Sequence, residues 1–88
     1  MSLTFVTRSG CGLCEAALEE LNAFLESAGP ALRKPVRLNV VDLAEYPELE
    51  TTYGSRVPVI EWQGQEICHF FFDESAVRKC LRHHTIAV

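Results

Sequence analysis

The sequence predicts an α/β domain of order βαβαββα, with four strands in one mixed sheet and helices on its faces. Three observations carry that prediction. A β-branched and aromatic run is followed by an amphipathic helix and then by a second such run, which is a strand–helix–strand unit with a parallel pair. Two later apolar runs are separated by two residues, one of them glycine, as in an antiparallel hairpin. A carboxylate then stands where the N-cap of a closing helix belongs.

The first strand is Leu3 to Thr7, LTFVT, and the third element is Val36 to Val41, VRLNVV. The apolar content of the latter is nearly continuous, as in parallel strands buried on both faces. Between them a helix runs from Cys14 to about Ser27. Its Ala17, Leu18, Leu21, Phe24, Leu25 and Ala28 follow i, i+3, i+4, i+7 spacing, and Glu15, Glu19, Glu20 and Glu26 take the other side. Gly29 and Pro30 stop it, and GPALRKP (Gly29 to Pro35) is a loop inside the domain. A short helix is expected over Pro47 to Tyr53, with proline in its first turn and Gly54 available for a left-handed C′ position. Val57 to Trp62 and Gln65 to Phe70 form the hairpin across Gln63-Gly64. Asp73 caps the last helix, whose Val77, Cys80, Leu81 and His84 share a face.

A chain of 88 residues holds one folding unit, so residues 1–88 are read as a single domain. With 48% apolar and 23% charged residues it has the apolar area that a disordered chain lacks, although so short a chain buries only a small core and its site is expected to be shallow. The formal charge is −4 and the basic residues are scattered, which argues against nucleic acid as a partner. No stretch approaches the roughly 18 apolar residues of a membrane span, and the N-terminus lacks the basic and apolar regions of an export signal. The expected setting is the cytoplasm. There, four cysteines point to reactive thiols or metal rather than structural disulfides. No coiled-coil pattern calls for a dimer, so a monomer is expected.

Cys11-Gly12-Leu13-Cys14 stands where the first strand ends and the first helix begins. Residues three apart in a helical turn have α-carbons about 5 Å apart, inside the range a disulfide tolerates, so this pair can close and open with little backbone motion. With Cys11 at the N-cap, the free N–H groups of the first turn and the positive dipole end favour its thiolate, which makes Cys11 the expected nucleophile and Cys14 the resolving thiol. Arg8 adds a positive field and Glu15 an opposing one. The alternative is non-enzymatic: a redox-partner module, or a zinc site completed from Cys68, His69, Cys80, His83 and His84. Against zinc, Cys80 falls on the apolar face of the last helix and Cys68 within a strand, where buried thiols pack as small apolar groups. His69 reads as a strand residue, and His83 and His84 suit a helix C-terminus. The run His69-Phe70-Phe71-Phe72 reads as core and strand-end packing, with a ring exposed for a partner as the lesser alternative.

Two motifs in register, TRSGCGLC and YGSRVPVIEWQGQEI, resemble a small glutaredoxin-like protein of the thioredoxin fold over nearly the whole chain. The resemblance implies a thiol–disulfide oxidoreductase acting on protein or glutathione-mixed disulfides through Cys11 and Cys14. It implies no bound cofactor or metal, with glutathione as a substrate or reductant and a disulfide-containing protein or small thiol as partner. It also implies that Val57-Pro58 is cis and faces the redox pair, leaving the Val57 backbone to hold an extended substrate, and that Arg8 stands near the glutathione carboxylate. The sequence departs from the family where Arg56 replaces a threonine common before Val-Pro, and where Cys68 to Asp73 replaces a Gly-Gly-x-Asp segment.

Overall fold

The computed structural model describes residues 2–32 and 35–82. Its elements are β1 (Ser2–Thr7), α1 (Gly12–Ala28), β2 (Arg37–Asp42), α2 (Glu50–Tyr53), β3 (Val59–Trp62), β4 (Gln65–His69) and α3 (Glu74–Leu81), with single 3-10 turns at Gly29–Ala31 and Pro47–Leu49. The four strands form one sheet in the order β2-β1-β3-β4. The pair β1–β2 is parallel, whereas β1–β3 and β3–β4 are antiparallel. This is the predicted βαβαββα arrangement.

The period-two alternation of the central strands divides the core between the two faces of the sheet. Leu3, Phe5 and Ile60 point one way and pack with Ala17, Leu21 and Phe24 of α1 and Val77 and Leu81 of α3. Val6 and Val59 point the other way, toward Leu43, with Leu49 and Tyr53 against them. Gln63 and Gly64 both have positive φ (51° and 85°), the combination a two-residue hairpin turn requires. Asp73 caps α3 as expected, its Oδ1 accepting the Ala76 N–H at 3.1 Å.

Several expectations are corrected. β2 is an edge strand with no fully buried residue, and Val40 is 51% exposed. An apolar run identifies a strand but does not say how many of its faces are covered. The first helix starts two residues earlier than its apolar periodicity, at Gly12, and ends at Ala28 without a left-handed glycine, because Gly29 is itself helical (φ −51°) and leads into the 3-10 turn. The stretch from Pro47 to Tyr53 splits into a 3-10 turn and one α-turn. Gly54 is also right-handed (φ −54°); a Cβ there would lie 2.7 Å from the Glu50 carbonyl oxygen, so close approach, and not positive φ, is what glycine meets at this position. β3 begins at Val59, after Val57-Pro58, and β4 ends at His69, because Phe70 has φ 70° and leaves the strand. Cys68 and Cys80 are half-buried; only Cys68 packs against the main core. His83 and His84 lie outside the described residues.

The topology gathers four connections at one end of the sheet. β1 and the parallel β2 finish there, the antiparallel β3 starts there, and β4 finishes there. Arg8–Cys11, Leu43–Tyr46, Val57–Pro58 and Phe70–Asp73 are therefore neighbours in the fold.

Ile60→Ala, which empties a fully buried position between the two helices, is expected to cost about 2–5 kcal/mol, whereas Val40→Ala on the edge strand is expected to change stability by no more than about 0.5 kcal/mol. Urea unfolding of the two variants measures the difference.

Candidate functional site

The site is built on the turn that ends β1 and opens α1. Gly10 takes φ 77°, and the Cys11 N–H closes back on the Arg8 carbonyl at 3.2 Å. Cys11 is extended (φ −92°, ψ 110°) and is the N-cap of the 17-residue α1: its carbonyl accepts the Glu15 N–H at 3.1 Å, and its Sγ accepts the Cys14 N–H at 3.2 Å. The sulfur thus stands in for the oxygen that usually satisfies a free N–H of the first turn.

Both thiols are free. Cys11 is partly exposed, and Cys14 is only 2% exposed, packed with Leu3, Phe5 and Ala17. Burial pushes the Cys14 thiol up from its ordinary value, reinforced by its hydrogen bond with Cys11, while the Thr7 hydroxyl and the Arg8 backbone N–H act in the opposite direction. Thr7 is a site residue that sequence reasoning missed. The alternation of Leu3 and Phe5 along β1 puts Thr7 on the same face, beneath the first turn of α1, and that was its signal.

Two carboxylates hold the turn from either side. Ser9 Oγ donates to Asp42 Oδ2 at 2.7 Å, and Asp42 Oδ1 accepts the Ala44 N–H at 2.9 Å. The Ala44 N–H and the Ser9 hydroxyl keep the Asp42 carboxyl below its usual range. Arg8 forks onto Glu50, with Nη1 to Oε2 at 3.1 Å and Nη2 to Oε1 at 2.6 Å, and Nη2 also donates to the Gly54 carbonyl at 3.0 Å. Glu50 raises the Arg8 pKa further; the charge of Arg8 still reaches Cys11 and Cys14, but its donors are directed at α2. Neither Asp42 nor Glu50 carried a sequence signal, because each lies more than 30 residues from its partner.

Val57-Pro58 is cis. Pro58 is buried, while Val57 is half-buried and packs, like Cys11, against the main core cluster. Among the described residues no hydrogen bond engages the Val57 backbone N–H or C=O. On the far side of Val57, Arg56 is paired with Glu66 and donates to the Thr52 carbonyl at 2.7 Å. His69 Nδ1 lies 2.8 Å from Glu66 Oε2.

Among the described residues no three His, Cys, Asp or Glu side chains converge as a metal would require, and Cys68, His69 and Cys80 do not join the Cys11–Cys14 pair. Burial pushes the Cys68 thiol up, against a hydrogen bond with the Asp73 backbone that acts in the opposite direction. The expectation that the phenylalanine run packs inward holds only for Phe72, whose ring lies 5.8 Å from that of Phe24. Phe70 and Phe71 are 45% and 62% exposed, because the left-handed Phe70 turns the chain outward.

A family model described as the glutaredoxin-like domain (DUF836) matches residues 2–82. Among solved structures, protein Ne2328 from Nitrosomonas europaea is 27% identical with TM-score 0.73, over 91% of this chain and 89% of that one. Protein XcR50 from X. campestris is 30% identical with TM-score 0.62, over 92% and 96%. Thioredoxin 1 from Thermosipho africanus shares the fold at 16% identity, TM-score 0.61, over 94% and 97%. No curated protein matches the chain.

Gly54→Ala sets a methyl group against Glu50 and is expected to cost about 1–3 kcal/mol, read by urea unfolding. The raised Cys14 thiol also gives a signed pH effect. The folded chain keeps that proton at pH values where the unfolded chain has lost it, so the contribution is complete below the ordinary thiol value and is lost as pH rises toward the folded one. The free-thiol protein is therefore expected to lose stability above about pH 8.5, no more steeply for this group than about 1.4 kcal/mol per pH unit, and Cys14→Ala is expected to flatten the slope. Thermal unfolding in a reductant between pH 7 and 10 measures it.

Proposed function

The chain belongs to the glutaredoxin-like domain family, and from that premise we propose that it is a thiol–disulfide oxidoreductase working through Cys11 and Cys14. The observation that carries the proposal is the Cys11 Sγ at the N-cap of a long helix, accepting the Cys14 N–H at 3.2 Å. A thiolate there takes a charge-assisted hydrogen bond and faces the positive end of the helix dipole. Among the two sulfurs, the partly exposed Cys11 meets the substrate and the buried Cys14 waits behind it.

In the proposed cycle the Cys11 thiolate attacks one sulfur of a substrate disulfide. A Cys11–substrate disulfide forms, and the other substrate sulfur leaves as a thiolate that takes up a proton. Cys14 then gives up its proton and attacks the Cys11 sulfur, releasing the second substrate thiolate and leaving a Cys11–Cys14 disulfide. Two electrons have passed from the pair to the substrate, and an external thiol reductant restores the pair. A raised Cys14 keeps the second thiol protonated until the first bond has formed, which separates the two steps. The free Val57 backbone edge is suited to an extended substrate segment, and Pro58 lines the site beneath it. Arg8, tied to Glu50, acts as a positioning residue for the turn and as a positive charge near both sulfurs, in place of the carboxylate contact its sequence position implies. The substrates are protein or glutathione-mixed disulfides, the setting is the reducing cytoplasm, and the chain works as a monomer without bound metal or cofactor.

Cys11→Ser is expected to abolish reduction of a disulfide substrate, and Cys14→Ser to trap the first mixed disulfide, seen as a mass increase that dithiothreitol removes. Full reductase activity in Cys11→Ser would overturn the proposal.

A further inference from the structure

The large apolar side chains left exposed among the described residues are Leu13, Val40, Tyr46, Phe70 and Phe71. All but Val40 belong to the segments gathered at the Cys11 end of the sheet: Leu13 lies between the two cysteines, Tyr46 follows β2, and Phe70 and Phe71 follow β4. Exposed apolar and aromatic side chains gathered at the end of the sheet that carries a reactive group are the composition of a protein-binding face.

Phe70 supplies an independent sign. Its φ of 70° is a left-handed conformation that bulky residues rarely adopt. The conformation is held by its N–H, which donates to the Pro58 carbonyl at 2.8 Å and, more weakly, to the Arg56 carbonyl at 3.3 Å. The ring stands edge-on to His69 with centroids 4.7 Å apart and is 45% exposed. Strain of this kind persists where the surrounding structure over-determines it, and such positions cluster at ligand sites.

The charges at this end are one-sided. Glu15, Asp42, Glu45 and Glu48 lie on the same connections or in the first turns they open, while the nearby cations Arg8, Arg56 and Arg78 are paired with Glu50, Glu66 and Glu74. Glutathione has two carboxylates and one ammonium and is a net anion at neutral pH; it meets repulsion here and finds the Arg8 fork occupied. A cationic polypeptide meets attraction.

We propose that the Cys11 face selects polypeptide disulfides whose half-cystine is flanked by apolar and basic side chains, in preference to glutathione disulfides, with Leu13, Phe70 and Phe71 as the specificity-determining side chains. The inference rests on the oxidoreductase reading and adds the substrate class. The electrons are those of the Cys11–Cys14 dithiol: one substrate disulfide is reduced to two thiols as the pair is oxidised to one disulfide, so a single turnover needs no other reductant.

The test uses the reduced full chain in single turnover, with acid quench and mass spectrometry to follow formation of the Cys11–Cys14 disulfide. Three probes are compared: a synthetic peptide with one internal disulfide flanked by leucine and lysine, oxidised glutathione, and the small neutral hydroxyethyl disulfide. The peptide is expected to react at least about tenfold faster than oxidised glutathione, a margin of about 1.4 kcal/mol, and the margin is expected to shrink as salt is raised. Phe70→Asn, whose new side chain tolerates positive φ, combined with Phe71→Ser is expected to lower the ratio of the peptide rate to the hydroxyethyl disulfide rate about tenfold. Leu13→Ser is expected to lower it in the same direction. Oxidised glutathione reacting as fast as the peptide, or a ratio unchanged in both variants, overturns this inference alone. A chain oxidised by none of the three probes overturns the oxidoreductase reading, and this one with it.

Discussion

The hydrogen bond from the Cys14 N–H to the Cys11 sulfur is the constraint on which the site depends. A helix N-terminus leaves several N–H groups without partners, and serine, threonine, aspartate or asparagine usually fills that place. A thiol is a poor acceptor and a thiolate a good one, so a cysteine at this position ties the comfort of the helix end to the state of the sulfur. The turn is kept in shape by other means. Asp42 grips Ser9 from the end of β2, and Glu50 grips Arg8 from α2, so that both neighbours of the turn are fixed by partners other than the sulfur. Cys11 is then free to change its bonding without the turn collapsing.

The difference between the two sulfurs follows from the same geometry. An N-cap residue stands outside the helix, whereas a residue three positions on has turned through most of a circle toward the sheet. Cys14 therefore meets Leu3 and Phe5 on the covered face of β1, and Cys11 remains at the rim. Burial raises the Cys14 thiol, and the Thr7 hydroxyl and Arg8 N–H moderate the effect without cancelling it. Positions 12, 13 and 15 are all exposed, so a spacing one residue shorter or longer would have left the second sulfur in solvent.

Much of this was legible in the sequence because it is local. The strand-to-helix junction at Cys11, the cap at Asp73 and the turn at Gln63-Gly64 are decided by residues within a few positions of one another, and each stands where the spacing put it. The errors are of a different kind. β2 reads as a buried strand because Val36, Leu38, Val40 and Val41 make most of its run apolar, but its place at the edge is set by the pairing of β1 with β3, elsewhere in the chain. Gly54 reads as a left-handed stop because glycine often is one, whereas here the reason is the approach of Glu50 and Arg8. The outward turn of Phe70 and Phe71 escaped for the same reason: the acceptors that hold Phe70 are the carbonyls of Pro58 and Arg56, brought in by the hairpin. Of the candidate site, the two cysteines and Val57-Pro58 were visible, and the supporting Thr7, Asp42 and Glu50 were not, since support comes from residues distant in sequence.

A domain of this length has a small core, and every large apolar side chain it leaves in water is stabilisation forgone, at about 25 cal/mol for each Å² left uncovered. Val40 is explained by its place on an edge strand. Tyr46, Phe70, Phe71 and Leu13 are not: the first three sit on connections and Leu13 on the exposed side of the first turn of α1, where polar residues would serve the fold equally well. Phe70 adds a backbone cost that an asparagine or glycine at the same position would lessen. Folding therefore leaves about half of each of these four side chains in water, and the backbone of one of them opposes it. Their common location, around the sulfur of Cys11, is accounted for by a requirement outside the fold, the recognition of whatever that sulfur meets.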